Sequence, residues 1–186
     1  GSVSPRGGTV VCHNRLNKMI RMSGVLFALL LFGPQSESPV ADAAQRGDLD
    51  TVRVLLRSGA DVNAAQNSGM SALHWAAQQN DAPVIEILLY AGANTEATTR
   101  LGGYTPLHLA GRAGNALALD ALLSGGAEAE VFTTTGATAL HFAASSGRAA
   151  AVETLIRHGA SINVTTQSDA QTPLMWATAS NRLDAI

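Results

Sequence analysis

Three histidines recur on one beat: His74 in "SALHWA", His108 in "TPLHLA" and His141 in "TALHFA". Imidazole serves both as a metal ligand and as a proton carrier near neutral pH, and each of these rings follows a hydroxyl by three residues, from Ser71, Thr105 or Thr138. A zinc site, or a hydrolase made from His108 and a serine, are the chemistries such a set offers. Geometry opposes the first. Stacked helices stand about 8–10 Å apart, whereas each imidazole on a shared zinc needs a bond of about 2.0–2.1 Å, so histidines on neighbouring stacked helices cannot hold one ion. The second lacks its companions: no nucleophile elbow, paired carboxylate motif or His-Glu-x-x-His sequence occurs. Cys12 is the sole cysteine, which excludes an intrachain disulfide and a thiolate cluster. The sequence therefore predicts no catalytic residue, no metal and no cofactor. His13 and His158 stand alone.

The elements that position these residues are written in the repeat. Ser71, Thr105, Thr138 and Thr172 open four versions of one phrase, 34, 33 and 34 residues apart. A second phrase keeps step with it, "LLRSGADVN" from Leu55, "LLYAGANTE" from Leu88, "LLSGGAEAE" from Leu122 and "LIRHGASIN" from Leu155. A period in this range marks a stacked array, because one short unit cannot cover its own apolar face. Copies start near residues 38, 71, 105, 138 and 172; the first is worn and the last cut short. Each copy reads as two helices. In the second copy Ala72, Leu73, Ala76 and Ala77 line one side of the first helix, and Val84, Ile85, Leu88 and Leu89 one side of the second. Gly47, Asn80, Gly114 and Gly147 fall where the chain turns between helices, and Gly59, Gly92, Gly126 and Gly159 where the second helix must end.

With "TPLHLA" followed about 20 residues later by "LLSGGA" at a steady period, the segment Ser38 to Ile186 resembles the ankyrin-repeat family. The resemblance implies an all-α solenoid of antiparallel helix pairs, with joining loops that project as hairpin fingers over a concave face. It also implies that Thr105 with His108 and Thr138 with His141 are stabilising pairs, and that Trp75, Leu109, Phe142 and Trp176 pack against adjacent copies. Asn63 and Asn163 are expected to tie down loop backbone, although "NVT" at Asn163 also fits a glycosylation acceptor. The fingers at Gly102–Gly103 and Asp169–Ala170 carry an extra residue and are expected to be the misshapen or mobile ones. Met175 stands where copies two to four have histidine.

The rest of the chain bounds the partner. Its 186 residues are 46% hydrophobic and 14% charged, enough for a packed core, and the formal charge is −2. Lys18 is the one lysine among 12 basic residues, so no basic stripe suits a phosphate backbone and nucleic acid is not expected. Residues 1–21 read as a disordered or non-native leader, and 22–37 as a signal-peptide-like segment and linker. Lys18 and Arg21 precede an apolar run from Val25 to Phe32, which is too short for a membrane span of about 20 residues. Export to a bacterial periplasm or beyond is the expectation, with the cytoplasm as the alternative if the leader is not a signal. Asp48, Asp50, Asp61, Arg53 and Arg57 read as the solvated cap of the first copy.

Function is expected at the variable positions of the finger side. These are Asn67, Ser68, Met70, Gln78 and Gln79 in copy two, and Arg100, Leu101, Tyr104 and Arg112 in copy three. Copy four adds Thr134, Thr135, Ala137, Ser145 and Ser146, and copy five Gln167, Ser168 and Gln171. Tyr104, Met70 and the arginines are the types able to anchor a protein contact. The expected function is non-catalytic binding of a protein partner by a monomeric array, with no small-molecule substrate. The alternative is the recognition arm of a longer protein whose other domain lies past residue 186.

Overall fold

The computed structural model describes residues 37–182, among which the secondary structure is helical. The leader, the apolar run, Leu183 and Ile186 lie outside the described residues. The helices come in pairs: α1 (Pro39–Gln45) with α2 (Leu49–Arg57), α3 (Ala72–Gln79) with α4 (Ala82–Tyr90), α5 (Pro106–Ala113) with α6 (Ala116–Ser124), α7 (Ala139–Ser146) with α8 (Ala149–Arg157), then α9 (Pro173–Ala179). None of these is long and apolar enough to cross a membrane.

Helices this short are marginal alone, so local signals and packing define them. Asp48 and Asp81 cap α2 and α4, accepting the N–H groups of Thr51 at 3.0 Å and Val84 at 3.2 Å. The Thr51 hydrogen bonds hold the Asp48 carboxyl below its ordinary range. Proline opens α1, α5 and α9, where its missing N–H costs nothing. Between α3 and α4 the chain turns through Asn80 at φ 60, a left-handed conformation asparagine tolerates.

Packing forms two layers. First helices α1, α3, α5, α7 and α9 contact one another in chain order, as do second helices α2, α4, α6 and α8. Between the layers lies one core, with Leu73, Ile85, Leu88, Leu107, Leu119, Leu122, Leu140 and Leu155 at most 2% exposed, each contributing about 1.5–3 kcal/mol by burial. Alanines 41, 44, 72, 76, 110, 139 and 143 are equally buried and let the first helices approach closely. At Gly111 a Cβ would come within 2.6 Å of the Ala139 carbonyl oxygen.

The finger at Gly102–Gly103 is regular, contrary to expectation. Its extra residue is taken up by two successive left-handed glycines, φ 83 and 61, and the loop is closed by Thr99 N–H donating to the Tyr104 carbonyl at 3.0 Å. The copy-five finger is closed in the same way by Thr166 N–H and the Gln171 carbonyl at 2.9 Å, with Ala170 at φ 51.

Candidate functional site

Each recurrent histidine is a clasp. The backbone N–H of Ser71, Thr105 and Thr138 donates to Nδ1 of His74, His108 and His141 at 3.2, 3.1 and 3.2 Å. With Nδ1 accepting, the ring proton sits on Nε2, which donates to the carbonyls of Tyr104, Val131 and Gln171 at 3.0, 3.0 and 2.9 Å. Nδ1 thereby closes the start of its own helix, and Nε2 joins that helix to the next loop. Burial disfavours the charged ring, lowering the pKa of all three and bringing His108 to about 4. Among the described residues no three metal-ligating side chains converge.

Above the clasps, fingers and first helices share one face, and aromatic rings run along it. Tyr104 of the third finger meets Phe142 of α7 edge-on at 5.6 Å, and Phe142 meets Trp176 of α9 at 5.4 Å. The Arg112 guanidinium reaches from the end of α5 over the Tyr104 ring, 5.4 Å from its centroid, a cation–π geometry. At the other end Trp75 donates its ring N–H to Gln66 at 3.1 Å, and Gln66 donates to Asp42 at 2.6 Å.

Of the sequence-predicted positions, Asn67, Ser68, Gln78, Gln79, Arg100, Leu101, Arg112, Thr134, Thr135, Gln167, Ser168 and Gln171 are exposed, and Met70, Tyr104, Ser145 and Ser146 half-buried. Tyr104 and Arg112 are brought together. Ser68 and Arg100 join adjacent fingers, the Arg100 N–H donating to the Ser68 carbonyl at 3.0 Å, as the Thr134 N–H does to the Gly102 carbonyl at 3.1 Å. Gln79 is tied to the Gln45 carbonyl at 2.9 Å.

Three expectations need correction. Ala137 is fully buried, its N–H donating to Thr133 Oγ1 at 3.2 Å, so it offers nothing to a partner. Leu109 and Phe142 are buried as expected, but Trp75 and Trp176 are only half-buried. Their indole N–H groups are held by finger glutamines, Trp176 by Gln171 at 2.8 Å, so both rings belong to the face as much as to the core. His158 is not isolated: its Nε2 lies 3.0 Å from Asp120 Oδ1 and links α6 to the end of α8. Trp176 was missed as a face residue; its signal was a large ring at one register position.

Among the described residues, clefts also lie elsewhere. One, of about 430 Å³, runs between α4 and α6 on the outer layer beside Glu86 and Asp120. Another, of about 330 Å³, lies at the last copies among Leu140, Val152, Ile156, Ile162 and Leu174.

The family model for ankyrin repeats (3 copies) matches residues 22–99, 40–133 and 107–186. Notch-regulated ankyrin repeat-containing protein A of Danio rerio is 33% identical over 71 residues, 38% of this chain and 61% of that protein. The Notch-regulated ankyrin repeat-containing protein of Xenopus laevis is 33% identical over 70 residues, 38% of this chain and 59% of its own. The chain thus spans about three fifths of the length of these relatives. Paired helices at the observed period, histidine clasps and a family match covering most of the residues agree: the chain belongs to the ankyrin-repeat family.

Proposed function

We propose that this array is a non-catalytic recognition module that holds a protein partner against the face shared by its fingers and first helices. The observation that carries this reading is the run Arg112, Tyr104, Phe142, Trp176, in which rings from three copies meet edge to face and one guanidinium lies over the first of them. Aromatic and arginine side chains are the usual anchors of protein contacts. Exposed amides and hydroxyls of Asn67, Gln78, Thr134 and Gln167 surround them as an adaptable rim. The test is affinity for a captured partner: Tyr104→Ala with Arg112→Ala should weaken it at least about tenfold, and unchanged affinity would mean that another surface binds.

The array acts as a monomer in this reading, which sedimentation checks. Export to a bacterial periplasm or beyond is the accompanying proposal, supported by Lys18 and Arg21 ahead of the apolar run and by the bias toward arginine. Sequencing the N-terminus of the exported chain tests it, and a leader retained on cytoplasmic protein would overturn it. Exposure of Ile162 and Leu174, 57% and 54%, favours a second reading in which the array is the recognition arm of a longer protein; the downstream gene sequence decides.

A further inference from the structure

Charge is divided between the two layers. The ion pairs among the described residues, Arg53 with Asp50 and both Arg157 and His158 with Asp120, all belong to second helices or their ends. On the finger and turn side of copies three to five stand Arg100, Arg112, Arg148 and Arg182, all exposed. None of the four has a carboxylate within ion-pair distance among the described residues. At the fingertips of these copies the acidic residue is Asp169; Glu96, Glu128 and Glu130 sit lower in the joining loops, with Glu96 and Glu130 accepting N–H groups of the next copy, and Glu86, Asp120 and Glu153 lie on the outer helices.

One of these arginines, Arg148, is placed against local preference. Arg148 is the N-cap of α8 and makes no capping hydrogen bond, while its register partners Asp48 and Asp81 cap their helices. A cation at a helix N-terminus also opposes the macrodipole. The stem of Arg148 instead lies across the turn at Gly114, where a Cβ would collide with its Cγ, and that of Arg182 lies across Gly147, where a Cβ would come within 2.6 Å of its Cδ. Arg112, Arg148 and Arg182 thus border the ends of successive first helices, with Arg112 turned over Tyr104.

Resting on the reading that this face binds a protein, we infer that its partner element is an extended acidic segment laid across copies three to five. Neighbouring helices stand about 8–10 Å apart and an extended chain rises about 3.3 Å per residue, so carboxylates about three residues apart meet successive arginines. Apolar side chains between them fall on the half-buried rings of Tyr104 and Trp176, which buried Phe142 supports from beneath. A partner of this kind supplies the anions the arginines lack, and the outer acidic layer repels it from the wrong side.

Synthetic peptides test this directly against the whole chain. The probes are a Leu/Ser peptide with Glu at every third position, its Gln counterpart, and an isomer with all Glu clustered at one end. The spaced Glu peptide should bind at least about tenfold more tightly than the Gln peptide, more tightly than the clustered isomer, and less so as salt rises. Arg148→Gln and Arg182→Gln should each weaken it about three- to tenfold with helicity unchanged, and Glu86→Gln on the outer layer should not. If Glu and Gln peptides bind alike, or Tyr104→Ala abolishes binding while the arginine variants do not, the acidic preference is wrong and the face remains a binding surface. Binding indifferent to Tyr104 and the arginines alike overturns both readings. No binding of the spaced peptide, or tighter arginine-dependent binding of a single-stranded oligonucleotide, overturns the acidic segment.

Discussion

His108 is held neutral by burial, which outweighs the pull of the Val131 carbonyl toward the charged ring, and that fixes how the protein responds to acid. An unfolded histidine titrates near 6.5 and the folded His108 near 4. Between those values the unfolded chain takes up a proton that the native chain refuses, so unfolding is favoured as pH falls. The stability from this group is complete above about pH 6.5, drains away toward pH 4, and does not change further below. A shift from 6.5 to about 4 corresponds to roughly 3 kcal/mol, and His74 and His141 act in the same direction. Urea midpoints should therefore drop over this window, and the His108 ring resonance should stay unprotonated until near pH 4; titration near 6.5 would remove the basis. The clasp was legible through the family resemblance, which implies the pairing of Thr105 with His108 and of Thr138 with His141. His158 was not, because Asp120 is 38 residues away on a neighbouring helix, and no local pattern announces that contact. Ala137 was misread because equivalent register does not carry equivalent exposure.

Helices and turns followed the sequence closely, since each copy repeats its caps and apolar spacing, and where a copy departs from the pattern two effects can be set against each other. Gly111 is inside α5, where alanine is intrinsically better by about 1 kcal/mol. Its Cβ would press on the Ala139 carbonyl oxygen at 2.6 Å, which is backbone and cannot rotate away. Parting two packed helices costs about 1–3 kcal/mol, so Gly111→Ala should lower the thermal midpoint despite its helix propensity; a raised midpoint would show that α5 and α7 separate freely. Arg148→Asp should do the reverse. It restores the cap seen at Asp48 and Asp81 and suits the dipole, so stability should rise by about 1 kcal/mol, with affinity for an acidic peptide falling. A variant no more stable than its parent would mean that packing of the Arg148 stem on Gly114 outweighs the missing cap. The Gly102–Gly103 finger was misjudged because an extra residue counts as a defect in a repeat, yet two left-handed glycines absorb it.

Across the whole molecule, cohesion comes from contacts between neighbouring copies, and side chains stitch the loops as well. Asn63 Oδ1 accepts the Asn94 N–H at 2.8 Å, Glu96 Oε1 the Glu128 N–H at 3.1 Å, and Glu130 Oε1 the Ser161 N–H at 2.7 Å. Only Asn63 of these was legible as a loop tie; the glutamates look like solvated charges until the next copy is stacked beside them. In such a quasi-one-dimensional array a central copy is held from two sides and an end copy from one, which sets the order of opening. Helices α3 to α6 have neighbours on both sides, whereas on α9 Leu174 and Met175 are each 54% exposed. Native-state hydrogen exchange should therefore be slowest in α3 to α6 and fastest in α9. Glu130→Ala should speed exchange in the last copies more than in the first, because it cuts the stitch to Ser161 alone. Glu130→Gln keeps an acceptor oxygen at that position and should restore most of the protection. Equal acceleration along the whole array would mean that the copies open as one unit, and the nearest-neighbour account of its stability would fail.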